Sequence, residues 1–226
     1  MVILTGAGIS QESGIRTFRA SDGLWEDHRI EDVATPEAFA RNPALVHRFY
    51  NARRAQLFSG SVHENAAHLA LARLQRALPG EVMLVTQNVD DLHERAGSDV
   101  LHMHGELGKL FCLHCDALLQ TQGDCFPETP CPHCGKSGGL RPDIVWFGEM
   151  PYHMDCIDRA LREAELFVAI GTSGQVYPAA GFVHLAKAAG AKTVEINLER
   201  TGAYFDEGYY GKATIEVPRF VEAVLA

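Results

Sequence analysis

Val2-Ile3-Leu4, Val82-Met83-Leu84-Val85 and Leu166-Phe167-Val168-Ala169-Ile170 are short apolar runs without polar alternation, and each gives way to a glycine or polar cluster. A strand that is apolar on both sides is buried on both sides, which points to a parallel sheet covered by helices. Val100-Leu101-His102-Met103-His104, Thr193-Val194-Glu195-Ile196-Asn197 and Thr214-Ile215-Glu216-Val217 are predicted as further strands. Between them the sequence predicts helices over 44–58, 65–78, 90–96, 154–164, 179–189 and 218–225. Another opens at Thr35-Pro36, with threonine as cap and proline in the first turn. The stretch 24–78 shows no convincing strand. In such a sheet ligands bind beyond the carboxyl ends of the strands. Gly6–Ser10, Gln87–Asp90, His104, Gly171–Ser173 and Asn197 all fall there, so they are expected to meet in one crevice.

The first of these turns is glycine-rich. Gly6-Ala7-Gly8-Ile9-Ser10 follows the first strand closely, as in proteins that bring backbone N–H groups against a phosphate. The dinucleotide fingerprint of hydride-transfer enzymes would place a third glycine where Gln11 stands. Gly14-Ile15-Arg16-Thr17-Phe18-Arg19 then reads as a loop that closes an aromatic ring and two cations over a ligand. A strand-to-helix turn without a ligand is the plainer alternative.

Cys112-Leu113-His114-Cys115 and Cys131-Pro132-His133-Cys134 form two C-x-x-C knuckles 15 residues apart. This spacing matches a four-thiolate zinc site, and a full cysteine set leaves no position for water, so the ion is expected to be structural. Disulfides are the alternative, disfavoured in a chain with no secretion signal. Cys125 and Cys156 fall outside the pattern, and His114 and His133 find no vacancy in it. The 226 residues carry 29 acidic against 20 basic side chains, a net charge of −9. That balance opposes nonspecific binding to nucleic acid or an anionic membrane. No apolar stretch nears the roughly 20 residues needed to cross a bilayer. A cytoplasmic location is the default expectation.

Taken in order, Gly6–Ser10, Gly14–Arg19, Gln87-Asn88-Val89-Asp90, His102-Met103-His104-Gly105, the four cysteines and Gly171-Thr172-Ser173 resemble the sirtuins over essentially the whole chain. Tyr50-Asn51-Ala52-Arg53 and Ile144–Glu149 make it most similar to the bacterial class III deacylases. Val89 in place of the common isoleucine and the lack of an N-terminal extension are the departures. The resemblance implies a Rossmann-like α/β domain over 1–24, 79–110 and 141–226, a helical module over 25–78 carrying the acyl-recognition residues, and a zinc module over 111–140. It further implies an enzyme that consumes NAD. The acyl oxygen of a modified lysine attacks C1′ of the nicotinamide ribose, nicotinamide leaves, and the acyl group finishes on ADP-ribose.

Such a reaction builds positive charge on a ribose and then needs a base for a ribose hydroxyl, work that imidazole performs near neutral pH. The residues leave His102 and His104 undistinguished on one strand face, and the family motif selects His104 as catalytic. By the same resemblance Asn88 and Asp90 hold the nicotinamide carboxamide and its ribose, and Gln87 the same ribose; helix capping is their plainer duty. Phe18 shields the ribose, Arg19 and Ser173 assist the phosphates, and Asn197, Leu198, Glu199 and Ala213 border the adenosine. Gly6, Ala7, Gly8, Ile9, Ser10, Gly14, Ile15, Thr17, Trp25, Gly171 and Thr172 complete the implied NAD contacts.

Tyr50 and Arg53 lie three apart on a predicted helix and share a face. A phenol and a guanidinium side by side match a carboxylate. In class III sirtuins the pair reads succinyl- and malonyl-lysine, with acetyl-lysine still accepted. Val145, Phe147 and Gly148 are expected in an extended segment that pairs with a substrate peptide. The implied partners are acyl-lysine proteins or peptides and NAD. A nicotinamide-dependent oxidoreductase, a noncatalytic nucleotide or peptide reader, and a mono-ADP-ribosyltransferase remain as other readings of the residues.

Overall fold

The computed structural model describes residues 1–15, the backbone of 24–25, and 28–226. Six parallel strands form the central sheet: β1 (Val2–Thr5), β4 (Met83–Thr86), β5 (Leu101–His102), β9 (Leu166–Ile170), β10 (Lys192–Asn197) and β11 (Glu207–Tyr210), in the order β11-β10-β9-β1-β4-β5. β1 lies between β4 and β9, with Thr5 opposite both Thr86 and Ile170. The direction of winding reverses between β1 and β9, which opens a crevice at their carboxyl ends.

Helices cover both faces. α4 (Ala66–Ala77) and α8 (Ala213–Leu225) pack on one, where Ile3, Leu71, Leu74, Val168, Ile196, Val217 and Phe220 form a buried cluster. α6 (Met154–Glu163) and α7 (Phe182–Ala188) cover the other, around Leu4, Val85, Ile157, Leu161, Phe167 and Val183. Fully burying a side chain such as Ile3 or Leu71 stabilises the fold by about 1.5–3 kcal/mol. Among the described residues no helix is long and apolar enough to cross a membrane.

The insertion after β1 begins with a two-stranded ribbon, β2 (Leu24–Trp25) and β3 (His28–Arg29), where no strand is expected from the sequence. Two residues per strand are too few for a period-2 pattern to register. Then come α1 (Ile30–Val33), α2 (Pro36–Arg41) and α3 (Pro43–Leu57). Thr35 caps α2, its hydroxyl accepting the Ala38 N–H at 3.0 Å. The segment 90–96 is helical only over α5 (Leu92–Arg95).

A three-stranded antiparallel sheet carries the cysteines: β6 (Gly105–Cys112), β7 (Leu118–Gln120) and β8 (Leu140–Ile144). It reaches beyond 111–140 on both sides. Ile144 ends β8, and Phe147 and Gly148 lie in a turn rather than an extended run. The expectation for the carboxyl end also fails. Residues 214–217 belong to α8, because Val217, Phe220 and Val221 meet the core at helical spacing, while the last strand is β11.

Candidate active site

At the carboxyl ends of the parallel strands lies a cavity of about 440 Å³. Gly6, Ala7, Gly8 and Ser10 enter it after β1, Gln87, Asn88 and Asp90 after β4, and His104 after β5. Gly171, Thr172 and Ser173 follow β9, Asn197 ends β10, and Ile15 joins from the loop that leaves the first turn. From the opposite side come Tyr50 and Arg53 on α3, with Val145, Phe147 and Gly148 beyond β8. The two glycine turns touch: Gly8 N–H donates to the Gly171 carbonyl at 2.8 Å. A Cβ on Gly8 would stand 2.7 Å from Gly171 Cα, a contact no side chain permits. That closeness keeps side chains out, so that a ligand in the crevice could approach the backbone itself.

Five of the expected contact residues are not among those lining this cavity. Ile9 is buried in the core against the α4 and α8 side of the sheet. Gly14, left-handed at φ +91°, closes a 3₁₀ turn outside the cavity lining. Leu198 and Glu199 are solvent-exposed beyond the rim, and Ala213 starts α8 and packs toward the core. Thr17, Phe18, Arg19 and the side chain of Trp25 lie outside the described residues.

Beneath the floor runs a buried polar chain. Asn65 N–H donates to His68 Nδ1 at 3.2 Å, so neutral His68 carries its proton on Nε2, which meets Ser10 Oγ at 3.4 Å. Ser10 Oγ also accepts from Asn88 Nδ2 at 3.1 Å. Burial holds His68 at a pKa of about 4 and raises Asp90 to about 6, the latter opposed by bonds from Leu92 N–H and the Ser10 hydroxyl. Asp90 therefore both faces the cavity and accepts from the first turn of α5, with Leu92 N to Oδ1 at 3.2 Å.

The two histidines that sequence leaves undistinguished part company here. His102 points away from the cavity, with Nε2 on Glu94 Oε1 at 2.6 Å and Nδ1 on the Asn88 carbonyl at 3.0 Å. Burial opposes its charge, but the Glu94 carboxylate, helped by Glu106 and the Asn88 carbonyl, makes the net shift upward. His104 lines the cavity, and its Nδ1 meets the Gln87 carbonyl at 3.1 Å. A carbonyl only accepts, so Nδ1 holds the proton and Nε2 keeps its lone pair. Burial depresses the His104 pKa, offset in part by the Gln87 bond.

On the far wall Tyr50 is fully buried, and Trp146 Nε1 donates to its hydroxyl at 2.9 Å. Arg53 stacks on Phe49, 4.0 Å from the ring centre, and donates to the Phe49 carbonyl at 3.0 Å. The segment beyond β8 is held internally: Val145 N–H reaches the His104 carbonyl, Phe147 N–H the Ala34 carbonyl, and Trp146 N–H Glu149. The N–H groups of Val145, Trp146 and Phe147 are thus committed within the protein.

The Sir2 family profile matches residues 6–178, from the first glycine turn to beyond the second. The chain belongs to the Sir2 family. Over its whole length it is 63% identical to the NAD-dependent protein deacylase of Bdellovibrio bacteriovorus, covering 96% of that protein. It is 60% identical to the NAD-dependent protein deacylase of Salmonella typhimurium, covering 84% of it. A solved structure of a Sir2 homologue in complex with NAD superposes with a TM-score of 0.87 at 39% identity, over 99% of this chain and 88% of that one.

The four cysteines of the two knuckles converge. All four sulfurs lie within 4.8 Å of one another, with Cys112–Cys134 at 3.9 Å and Cys115–Cys131 at 3.8 Å. Zinc–sulfur bonds of about 2.3 Å in a tetrahedron require edges of about 3.8 Å, so the set fits zinc. Each knuckle is turned by a left-handed residue, Asp116 at φ 56° and Gly135 at φ 71°. His114 is turned to the Ser137 carbonyl, and Cys125 is buried beside the set. Gln56, Val89, Ile144, Trp146, Glu149 and Tyr177 also line the cavity; of these, Val89, Ile144, Trp146 and Glu149 lie within motifs legible in the sequence, whereas no sequence signal marks Gln56 or Tyr177.

Proposed function

We propose that this Sir2 protein is an NAD-dependent protein-lysine deacylase that removes succinyl, malonyl and acetyl groups and releases nicotinamide and O-acyl-ADP-ribose. The observation that carries the reading is the meeting in one cavity of His104, with Nε2 unbonded by any described residue, and the Tyr50–Arg53 pair on the opposite wall. The names of the most similar relatives and the NAD complex of a Sir2 homologue support the same chemistry.

Bound NAD would supply the electrophilic ribose carbon and the nicotinamide leaving group. The glycine turns at Gly6–Gly8 and Gly171–Ser173 would let its phosphates approach the backbone, with the N–H groups of Ala7, Thr172 and Ser173 as donors, since those of Gly6, Gly8 and Gly171 bond to the Ile170, Gly171 and Ile196 carbonyls. Asn88, oriented by Ser10, and Asp90 would grip the carboxamide, an amide that matches one donor and one acceptor. His104, its Nδ1–H fixed on Gln87, would accept a ribose hydroxyl proton at Nε2. Phe18, Arg19, Thr17 and Trp25 keep the roles that the family resemblance implies. The helical segment 25–78 would deliver the acyl-reading residues, Arg53 offering its charge and Tyr50 its hydroxyl to a terminal carboxylate. An acetyl group lacks that charge and would rely on the apolar wall alone. The four cysteines would hold one zinc ion away from the reaction.

Incubation with NAD and matched acetyl-, malonyl- and succinyl-lysine peptides, followed by mass spectrometry, tests this. One nicotinamide and one acyl-ADP-ribose per deacylated peptide is the expected balance. NADH formation would instead identify an oxidoreductase, ADP-ribose attached to protein a transferase of that group, and unchanged peptide a binding module.

A further inference from the structure

α3 works on two sides at once. Tyr50, Arg53 and Leu57 line the cavity, whereas Asn51 and Arg54, one residue on in each case, are buried against the four-cysteine module. Asn51 grips Cys125 by both main-chain groups: Nδ2 donates to its carbonyl at 2.9 Å and Oδ1 accepts its N–H at 3.1 Å. Arg54 donates Nη1 to Asn51 Oδ1 at 2.9 Å and to the Gly123 carbonyl at 3.2 Å, and Nε to the Leu107 carbonyl at 2.8 Å. Cys125 in turn packs in one buried cluster with Cys112 and Cys131.

Arg54 is only 1% exposed, and its Nη2 meets no acceptor among the described residues. Burying a cation without a paired carboxylate is costly, and apolar residues of similar volume would join the same surfaces without that cost. What directional bonds add is register. They fix the rotation and axial height of α3 against the loop 123–125, and Tyr50 and Arg53 are the immediate neighbours of the gripping residues. We propose that Asn51 and Arg54 are positioning residues that tie the acyl-reading face of α3 to the four-cysteine module, so that the order of loop 123–125 sets the placement of Tyr50 and Arg53. The inference rests on the acyl-recognition reading above.

The test uses the zinc-loaded full chain and fluorescent succinyl- and acetyl-lysine peptides of one sequence, with affinities read by anisotropy without NAD. For Asn51→Ala the succinyl peptide is expected to weaken about 5–10-fold, the worth of one or two buried hydrogen bonds. The acetyl peptide and ADP-ribose should hold within about twofold, a split that general loosening would not give. Zinc should stay at one ion per chain. Equal weakening of both peptides, or no weakening, overturns the proposal. Arg53→Met serves as the reference: if it too fails to separate the peptides, acyl recognition itself is wrong and this coupling falls with it. If it separates them and Asn51→Ala does not, only the coupling is wrong. Hydrogen exchange on the unmodified protein removes any dependence on variant folding. Succinyl peptide should protect the amides of 123–125 and acetyl peptide should not; the same protection from both overturns the proposal.

Discussion

The indole N–H of Trp146 points at the hydroxyl oxygen of Tyr50, 2.9 Å away, joining the segment beyond β8 to the helix that faces it. Trp146 is 2% exposed and Tyr50 not at all, so neither group can turn to water instead. Trp146→Phe is expected to cost about 1–2 kcal/mol of stability, read from the urea midpoint, because the Tyr50 oxygen loses a buried donor. It should also raise KM for a succinyl peptide several-fold while leaving an acetyl peptide within about twofold. Unchanged stability and unchanged KM together would show that the bond organises neither.

Arg53→Met keeps the length of the side chain and its packing on Phe49 but removes the charge. A charge-assisted hydrogen bond is worth about 1.5–3 kcal/mol, so kcat/KM for desuccinylation should fall roughly 10–100-fold. Deacetylation should change by less than about twofold. Parallel losses on both substrates would remove Arg53 from acyl selection.

For His104 the sign of the pH dependence follows from burial. Its pKa is depressed, so the neutral, proton-accepting form persists below the ordinary histidine value of about 6.5. The acid limb of kcat/KM should therefore fall below pH 6.5. A limb centred above pH 7 contradicts the assignment. His104→Asn should lose about 100-fold or more in turnover with its melting temperature little changed.

His68 makes acid stability specific. Its folded pKa of about 4 lies below the unfolded value of 6.5, so the unfolded chain takes up the proton first. The stability tied to neutral His68 is intact above pH 6.5 and drains away as pH falls toward 4, by about 3 kcal/mol in all. His68→Gln, which cannot protonate, should flatten the stability curve by that amount between these limits. A curve parallel to that of the unmodified protein would refute this.

The four sulfurs predict one zinc per chain by metal analysis. Cys131→Ser should release it and expose amides across 105–144 to exchange, while β9 and β10, buried between α7 and α8, stay protected. Zinc retained at full occupancy in that variant would mean that the ligand set is wrong.

The strands that read clearly from sequence are those buried on both faces: Leu166–Ile170 is a strand with the bounds its apolar run suggests. The cysteine spacing was equally legible, because two residues between thiols restrict where both can point. β11 was not, since Glu207-Gly208-Tyr209-Tyr210 lies at the sheet edge, largely exposed, with no periodic pattern. The start of α8 misled for another reason. Thr214-Ile215-Glu216-Val217 followed by proline reads locally as a strand and a break. Yet the Thr214 N–H and hydroxyl are taken by the Glu12 carboxylate, from the loop after β1, and this contact secures the first turn of the helix. Beyond the family motif, what separates His102 from His104 is tertiary: folding brings Glu94 to one and the cavity to the other.

The position of β1 has a consequence for how the molecule is made. β1 is a central strand of the sheet, and both its partners come later in the chain, beginning at Met83 and Leu166. Until β9 is synthesised, one edge of Val2–Thr5 has no neighbour, and loop closures of that length are slow. Nascent chains that end before β9 thus carry an unpaired apolar edge that invites association, and a chaperone bound to the β1 segment would act during that interval.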